Sequence, residues 1–144
     1  MATRLGTVRE ATAAIIIAND GRLILQQRDN IPGILHPGKV GLFGGHREGN
    51  ESYVDCIARE LQEEIGYRVP AHRLEHLATR TGDDLDVAGG LVHGEIYVVR
   101  GVPIDQLTVT EGTLLAIQAE EISAIGSKLV PSARVALEYF GLRF

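Results

Sequence analysis

The stretch GGHREGNESYVDCIARELQEEIGY, residues 44–67, constrains this chain more than any other. From Ser52 onward Val54, Ile57, Ala58, Leu61 and Ile65 recur at helical spacing, and Gly66 follows as a C-terminal stop. At roughly 100° per residue, Glu60 and Glu64 stand one above the other with Glu63 beside them. The three carboxylates therefore share a face that adjoins the apolar one, and such a helix can dock on a sheet while aiming its acids into a groove. Like charges at this spacing repel by roughly 0.2–0.5 kcal/mol per pair. Arg59 lies four residues before Glu63, but one guanidinium does not neutralise three acids. A hard divalent cation does, and an all-oxygen set suits Mg²⁺, with Mn²⁺ as a substitute. The plain alternative is a solvated helix face carrying ordinary ion pairs.

The flanking segments supply a sheet for this helix. Residues 12–18 are rich in isoleucine and run into Asn19-Asp20-Gly21, a tight-turn signal, before an apolar run resumes over 22–27. Residues 29–38 hold two prolines and two glycines and read as a loop. A short strand over 39–43 then leads into Gly44-Gly45, where missing side chains allow close backbone approach. Beyond the helix, 73–80 and 91–100 read as strands around the polar turn GDDLDVAGG. A short strand at 114–117 and a short helix at 119–125 follow. Pro131-Ser132 opens a last amphipathic helix whose Val135, Ala136, Tyr139 and Phe140 are placed to face the core. Strands, helix, strands, helices in that order imply an α+β or α/β sandwich around a mixed sheet.

Composition narrows the partners. A chain of 144 residues is long enough for one domain with a core and short for two. Its net charge of −5 argues against a nucleic-acid partner, whose non-specific binding is driven by Lys and Arg. Any phosphate bound here calls for a cation. A single cysteine, Cys56, excludes an intrachain disulfide, and no apolar run is long enough to span a bilayer. A cytoplasmic protein with no membrane partner is expected.

Counting from Gly45, five residues lead to Glu51, seven more to Arg59, and then come Glu60, Leu61, Gln62, Glu63, Glu64, Ile65, Gly66 and Tyr67. This resembles the signature of the Nudix hydrolases: a glycine, five residues, Glu, seven residues, then Arg-Glu-aliphatic-x-Glu-Glu-x-Gly and a bulky apolar residue. Tyr67 replaces the usual aliphatic residue at the end, and Gly44 stands just upstream where proline is common. The resemblance implies a single domain over residues 1–144 with the Nudix α/β/α sandwich and a central mixed β-sheet. It implies Glu60, Glu63 and Glu64 as principal metal ligands, with the Gly44 carbonyl as a backbone ligand. Glu51 resembles the outer acid and Arg59 the arginine that orients the glutamates. The implied reaction is metal-dependent hydrolysis of a nucleoside diphosphate linked to another group, such as a nucleoside triphosphate, a nucleotide sugar or ADP-ribose. Glu60 and Glu64 are candidates for the carboxylate that takes the water's proton, and so is Glu111 in the loop VTEGT.

Arg28, Lys39 and Arg47 flank the expected groove and are candidates for substrate phosphate or sugar, as is His46 for phosphate. Phe43 is placed either to stack on a base or to fill the core. His72 and His76 lack a third ligand nearby, which disfavours zinc. Cys56 reads as a small buried residue rather than a catalytic loop cysteine, which disfavours the isopentenyl-diphosphate isomerase branch of the superfamily. A homodimer is a further expectation. The competing functional class is a Nudix-fold module that senses a nucleotide without cutting it; such modules often lack glutamates of the signature, and here every one is in place.

Overall fold

A computed structural model describes residues 8–144. Seven strands alternate with two α-helices in the order β1 (Val8–Ala18), β2 (Leu23–Gln27), β3 (Val40–Gly41), β4 (Phe43–His46), α1 (Tyr53–Ile65), β5 (Glu75–Asp83), β6 (Leu91–Val102), β7 (Thr113–Ile117) and α2 (Pro131–Tyr139). The main strand path is β3-β2-β1-β6-β5, with β4 paired to β1 and β7 to β2. All these pairs are antiparallel except β1 with β6, which run parallel from Val8 opposite Leu91, so the sheet is mixed.

Alternation along β1 sorts the core into two layers, because successive side chains point to opposite faces. Ala14 and Ile16 join Phe43, Tyr97 and Val99 under Ile57, Leu61 and Ile65 of α1. Ile15 joins Ile96 and Val98 on the other face, under Ala136 and Leu137 of α2. Leu61 and Leu137 are fully buried, each worth about 1.5–3 kcal/mol of transfer free energy. The two helices thus cover opposite faces of the sheet. No helix among the described residues is long and apolar enough to cross a membrane.

Helix α1 begins where Ser52 accepts a hydrogen bond from the Asp55 amide at its N-cap. It stops at Gly66, which is left-handed at φ 65° and donates its amide to Gln62. The segment before it departs from the expected strand over 39–43. It divides into β3 and β4, and the two glycines lie inside β4, with Gly44 opposite Ala13 and Gly45 opposite Thr12. The cause is steric: a Cβ on Gly44 would overlap the Thr12 carbonyl, so glycine is what lets β4 lie this close to β1.

Other boundaries shift. The strand expected at 73–80 occupies Glu75–Asp83, after a 3₁₀ turn at Ala71–Arg73. The helix expected at 119–125 is a 3₁₀ stretch, Ala119–Lys128, entered through reciprocal Gln118 and Glu121 capping bonds. On α2 the buried positions are Ala133, Ala136 and Leu137, whereas Tyr139 is 49% exposed, a correction to the expected core face. Helical spacing from Ala133 and Ala136 selects Leu137 in its place.

Candidate functional site

The acidic face of α1 lies against β4, and Arg59 stands at its centre. Its Nη2 donates to Glu51 at 2.7 Å and to the His46 carbonyl at 3.0 Å, and its Nε to the other Glu51 oxygen at 3.0 Å. Nη1 donates to Glu60 at 2.9 Å and to Glu63 at 3.1 Å. One guanidinium thus gathers three acids from the helix and the loop before it. Glu64 takes a different anchor, accepting the Gly44 amide at 2.9 Å. Glu51 also accepts the Glu48 amide at 2.8 Å, which closes the loop ahead of the helix. The helix-start cap itself is Ser52, so Glu51 acts here as the partner of Arg59.

The strand side of the cluster is equally confined. The Glu60 carboxylate packs so closely on β4 that a Cβ on Gly45 would overlap it. The Gly45 carbonyl accepts from Thr12 Oγ1 at 3.1 Å, and that hydroxyl also lies 3.4 Å from Cys56 Sγ. Cys56 is fully buried, and burial pushes its thiol up from the usual range. At the other end of the helix the segment 108–111 is tied down: the Thr108 and Thr110 amides donate to the Ile65 and Glu64 carbonyls. Gln26 Nε2 donates to the Glu111 carbonyl at 3.1 Å.

Charge and burial pull these acids apart. Burial pushes Glu64 up to about 7 against the Gly44 hydrogen bond, and the negative charges of Glu60, Glu111 and Glu63 push it further. Glu60 is raised by burial, which outweighs Arg59. Glu51 goes the other way, to about 2, because Arg59 donates to it. Glu63 is 57% exposed at the side chain and Glu60 only 14%. Among the described residues, no three acids, histidines or cysteines are already gathered closely enough to hold a metal ion. The guanidinium sits where Glu51, Glu60 and Glu63 would otherwise meet. The donor set still fits a hard divalent cation: every donor is an oxygen, Gly45 leaves the Glu60 carboxylate room against the strand, and Glu64 stands in an excess of negative charge.

The opposite face of β4 opens on a cavity of about 290 Å³. Ala11, Ala13, Gly44 and Gly94 line it from the sheet, Val130, Ala133 and Ala136 from α2 and its approach, and Leu35 and Leu85 from two loops. Its polar lining includes Arg28, His36, His46, Arg80 and Glu95, and a pair the sequence did not announce. Arg9 donates to both Asp84 oxygens, at 2.7 and 2.9 Å, and this holds the Asp84 carboxyl below its usual range. Asp86 accepts the Ser132 amide at 3.1 Å and its hydroxyl at 2.5 Å, tying the 84–90 turn to the start of α2.

Of the five candidate substrate residues, Arg28 and His46 line this cavity, while Lys39, Phe43 and Arg47 do not. Phe43 is fully buried under α1 among Ala14, Ile57 and Leu61, a core residue with no face free to stack on a base. Arg47 is held beside the helix start, its Nη1 on the Glu51 carbonyl at 3.2 Å and its guanidinium over the Tyr53 ring. His76 lies in β5, where it bonds Glu95 at 2.6 Å, away from His72 in the preceding turn. Sequence reading missed Thr12, Arg9, Asp84 and Glu95. For Thr12 a signal exists, since alternation in β1 puts it on the α1 face; for Arg9 and Asp84, 75 residues apart, none does.

A Nudix-type sandwich with an acid-faced helix on a glycine strand is matched by comparison with known proteins. The chain belongs to the NUDIX domain family, whose model matches residues 7–139. A curated relative, prenyl-diphosphate phosphatase of Methanosarcina mazei, is 37% identical over 68 residues; the match covers 46% of this chain and 39% of that protein. Among solved structures, the E. coli ORF135 protein superimposes with a TM-score of 0.70 at 26% identity, over 93% of this chain and 89% of that one. The NUDIX domain of Shewanella oneidensis NrtR, crystallised with ADP ribose, gives 0.68 at 19% identity over 93% and 86%.

Proposed function

We propose that this chain is a pyrophosphohydrolase that cuts a diphosphate linkage in a small molecule by attack of water on phosphorus, with a divalent cation, Mg²⁺ in the first place, held by Glu60, Glu63, Glu64 and the Gly44 carbonyl. The observation that carries this reading is the Arg59-centred acid cluster pressed onto the glycines of β4. A cation held there would supply positive charge to offset the diphosphate and to lower the pKa of the attacking water. The rest falls to the chain. Arg59, fixed by Glu51, holds Glu60 and Glu63 in position. Glu64, held on the Gly44 amide and pushed up to about 7 in the metal-free chain, is a candidate, with Glu60, to take the water's proton. Glu111 shapes that acidity through its charge.

A nucleoside diphosphate linked to another group is the substrate class implied by the family resemblance, and a fold neighbour that binds ADP ribose supports it. The relative that acts as a prenyl-diphosphate phosphatase supports a non-nucleotide diphosphate. The same proposal takes residues 1–144 as one Nudix domain working in the cytoplasm, as a homodimer, without nucleic acid.

The test is a panel of nucleoside triphosphates, nucleotide sugars, ADP-ribose, dinucleoside polyphosphates and alkyl diphosphates, assayed with Mg²⁺ for cleaved phosphate products. Turnover of at least one, abolished by chelation, is expected. Turnover of none, with tight metal-independent binding of one nucleotide, would establish the sensing module instead.

A further inference from the structure

Within the hydrolase reading, on which this inference rests, we infer that Arg80 determines specificity by receiving an anionic group, a carboxylate or a phosphate, in the part of the substrate remote from the diphosphate. Sheet register places the two ends. His46 of β4, Ala11 of β1, Gly94 of β6 and Arg80 of β5 pair in one row across the sheet, and all four line the cavity beneath α2. Four neighbouring strands span roughly 14 Å, at about 4.8 Å per step. The β4 end of the row follows directly on Gly44 and Gly45, against which Glu64 and Glu60 lie. A diphosphate held at that end leaves the rest of the molecule to run along the row toward Arg80.

The middle of the row is low. A Cβ on Gly94 would meet nothing nearer than the Arg80 carbonyl at 3.8 Å, and Gly94 is not among the residues of positive φ, so neither crowding nor a turn demands glycine there. Glycine inside a strand weakens it and marks a place where another molecule approaches the backbone closely. With Ala11 beside it, Gly94 floors a trough that a larger side chain would fill.

Among the charged groups around this trough, Arg80 is the one left unmatched. Both oxygens of Asp84 serve Arg9, whose Nη1 also lies 3.4 Å from His46 Nε2. Asp86 serves Ser132, with the buried His36 Nε2 3.9 Å away. The Glu95 carboxylate is taken up by His76, His93 and Thr79. Arg28 gives its Nε to the Leu35 carbonyl at 2.7 Å. Of the described arginines, Arg80 alone is partly buried and yet makes no hydrogen bond, ion pair or ring contact; Arg68 and Arg143 also lack partners but are exposed. A partly desolvated guanidinium calls for an anion, and its planar fork matches a carboxylate or a phosphate.

The experiment uses two matched pairs of probes: UDP-glucuronate with UDP-glucose, which differ by a carboxylate, and ADP-ribose 2′-phosphate with ADP-ribose, which differ by a phosphate. Turnover is measured with Mg²⁺, and affinity by calorimetry with Ca²⁺ in its place, on the full chain and on Arg80→Gln, Arg80→Lys and Gly94→Val. In at least one pair the more charged member should bind about tenfold more tightly, with KM lowered and kcat little changed. The pair that shows the preference tells carboxylate from phosphate. Arg80→Gln should erase the ratio while leaving kcat for the less charged member within about twofold, and Arg80→Lys should keep part of it. Gly94→Val, which fills the trough, should raise KM with the melting temperature held or increased. No preference in either pair, a preference that survives Arg80→Gln, or a KM that Gly94→Val does not move would overturn the assignment, while turnover would leave the hydrolase intact. A binding preference lost in Arg80→Gln, without cleavage of any probe, would keep the role of Arg80 and remove the hydrolase reading.

Discussion

The two faces of β4 are built in different ways. On the α1 side the acids are gathered by contacts short in sequence: Arg59 reaches eight residues back to Glu51 and four forward to Glu63, and Glu64 reaches twenty back to Gly44, while Thr12 braces Gly45 from 33 residues away. On the cavity side Arg9 pairs with Asp84 across 75 residues, and Ser132 with Asp86 across 46. The acid set of the face proposed for chemistry is a local device of one strand, one loop and one helix, braced by Thr12 of β1 and by the 108–111 segment. The face proposed for recognition exists only once distant segments have met. A local device tolerates change elsewhere in the chain, whereas the assembled one links substrate choice to the stability of the whole fold.

The largest effect should come from the local face. Glu63→Gln removes one charge from the acid set, at a side chain that is more than half exposed and, among the described residues, bonded only to Arg59. Turnover should fall by about 10²–10³-fold, with the melting temperature essentially unchanged. Steady-state kinetics and thermal unfolding of the same sample check both halves. A fully active variant would break the comparison at its root, because the acids would then be surface charge with no part in the reaction.

The same contrast explains what could be read from sequence. Helical period, the capping Ser52, the Gly66 stop and the acid stripe all lie within one window, so local rules reach them. Phe43 shows where those rules end. Alternation allows an aromatic in β4 to face either layer, and only the pairing of Ala14 with Phe43 puts it under α1 and away from the cavity. Lys39 and Arg47 stand close in sequence to residues that do line the cavity, yet the loop carries Lys39 aside and Glu51, Glu10 and Tyr53 hold Arg47. Asp84 lies in a polar turn that reads as solvent-exposed, and nothing nearby announces that Arg9 will bury it.

The next effect belongs to the assembled face. Asp84 is 2% exposed at the side chain, and Arg9→Ala would leave its carboxylate without the cation that offsets its burial. Removing one partner of such a pair costs about 3 kcal/mol. Denaturant unfolding should register that loss, and KM should rise more than kcat falls, because the 84–90 turn lines the cavity and not the acid cluster. An Arg9→Ala protein as stable as the parent, or one that loses kcat alone, would show that the two faces are not separable in this way.

The smallest effect sharpens the comparison through pH. Glu64 is pushed up to about 7 from its usual 4.5, chiefly by burial. Between those values the folded chain holds a proton that the unfolded chain has released. Its contribution to stability is therefore complete below about pH 4.5 and is lost as pH rises through about 7. Glu51, held at about 2 by Arg59, contributes in the opposite sense, and only as pH falls below the usual carboxylate range. With divalent ions chelated, the parent should thus become less stable from pH 5 to pH 8 relative to Glu64→Gln, whose glutamine cannot titrate. Adding Mg²⁺ should restore stability most at the alkaline end, since a cation competes with the proton for the same carboxylate. Parallel profiles for parent and variant would mean that Glu64 is not under the electrostatic pressure its neighbours imply, and the local face would lose its candidate base.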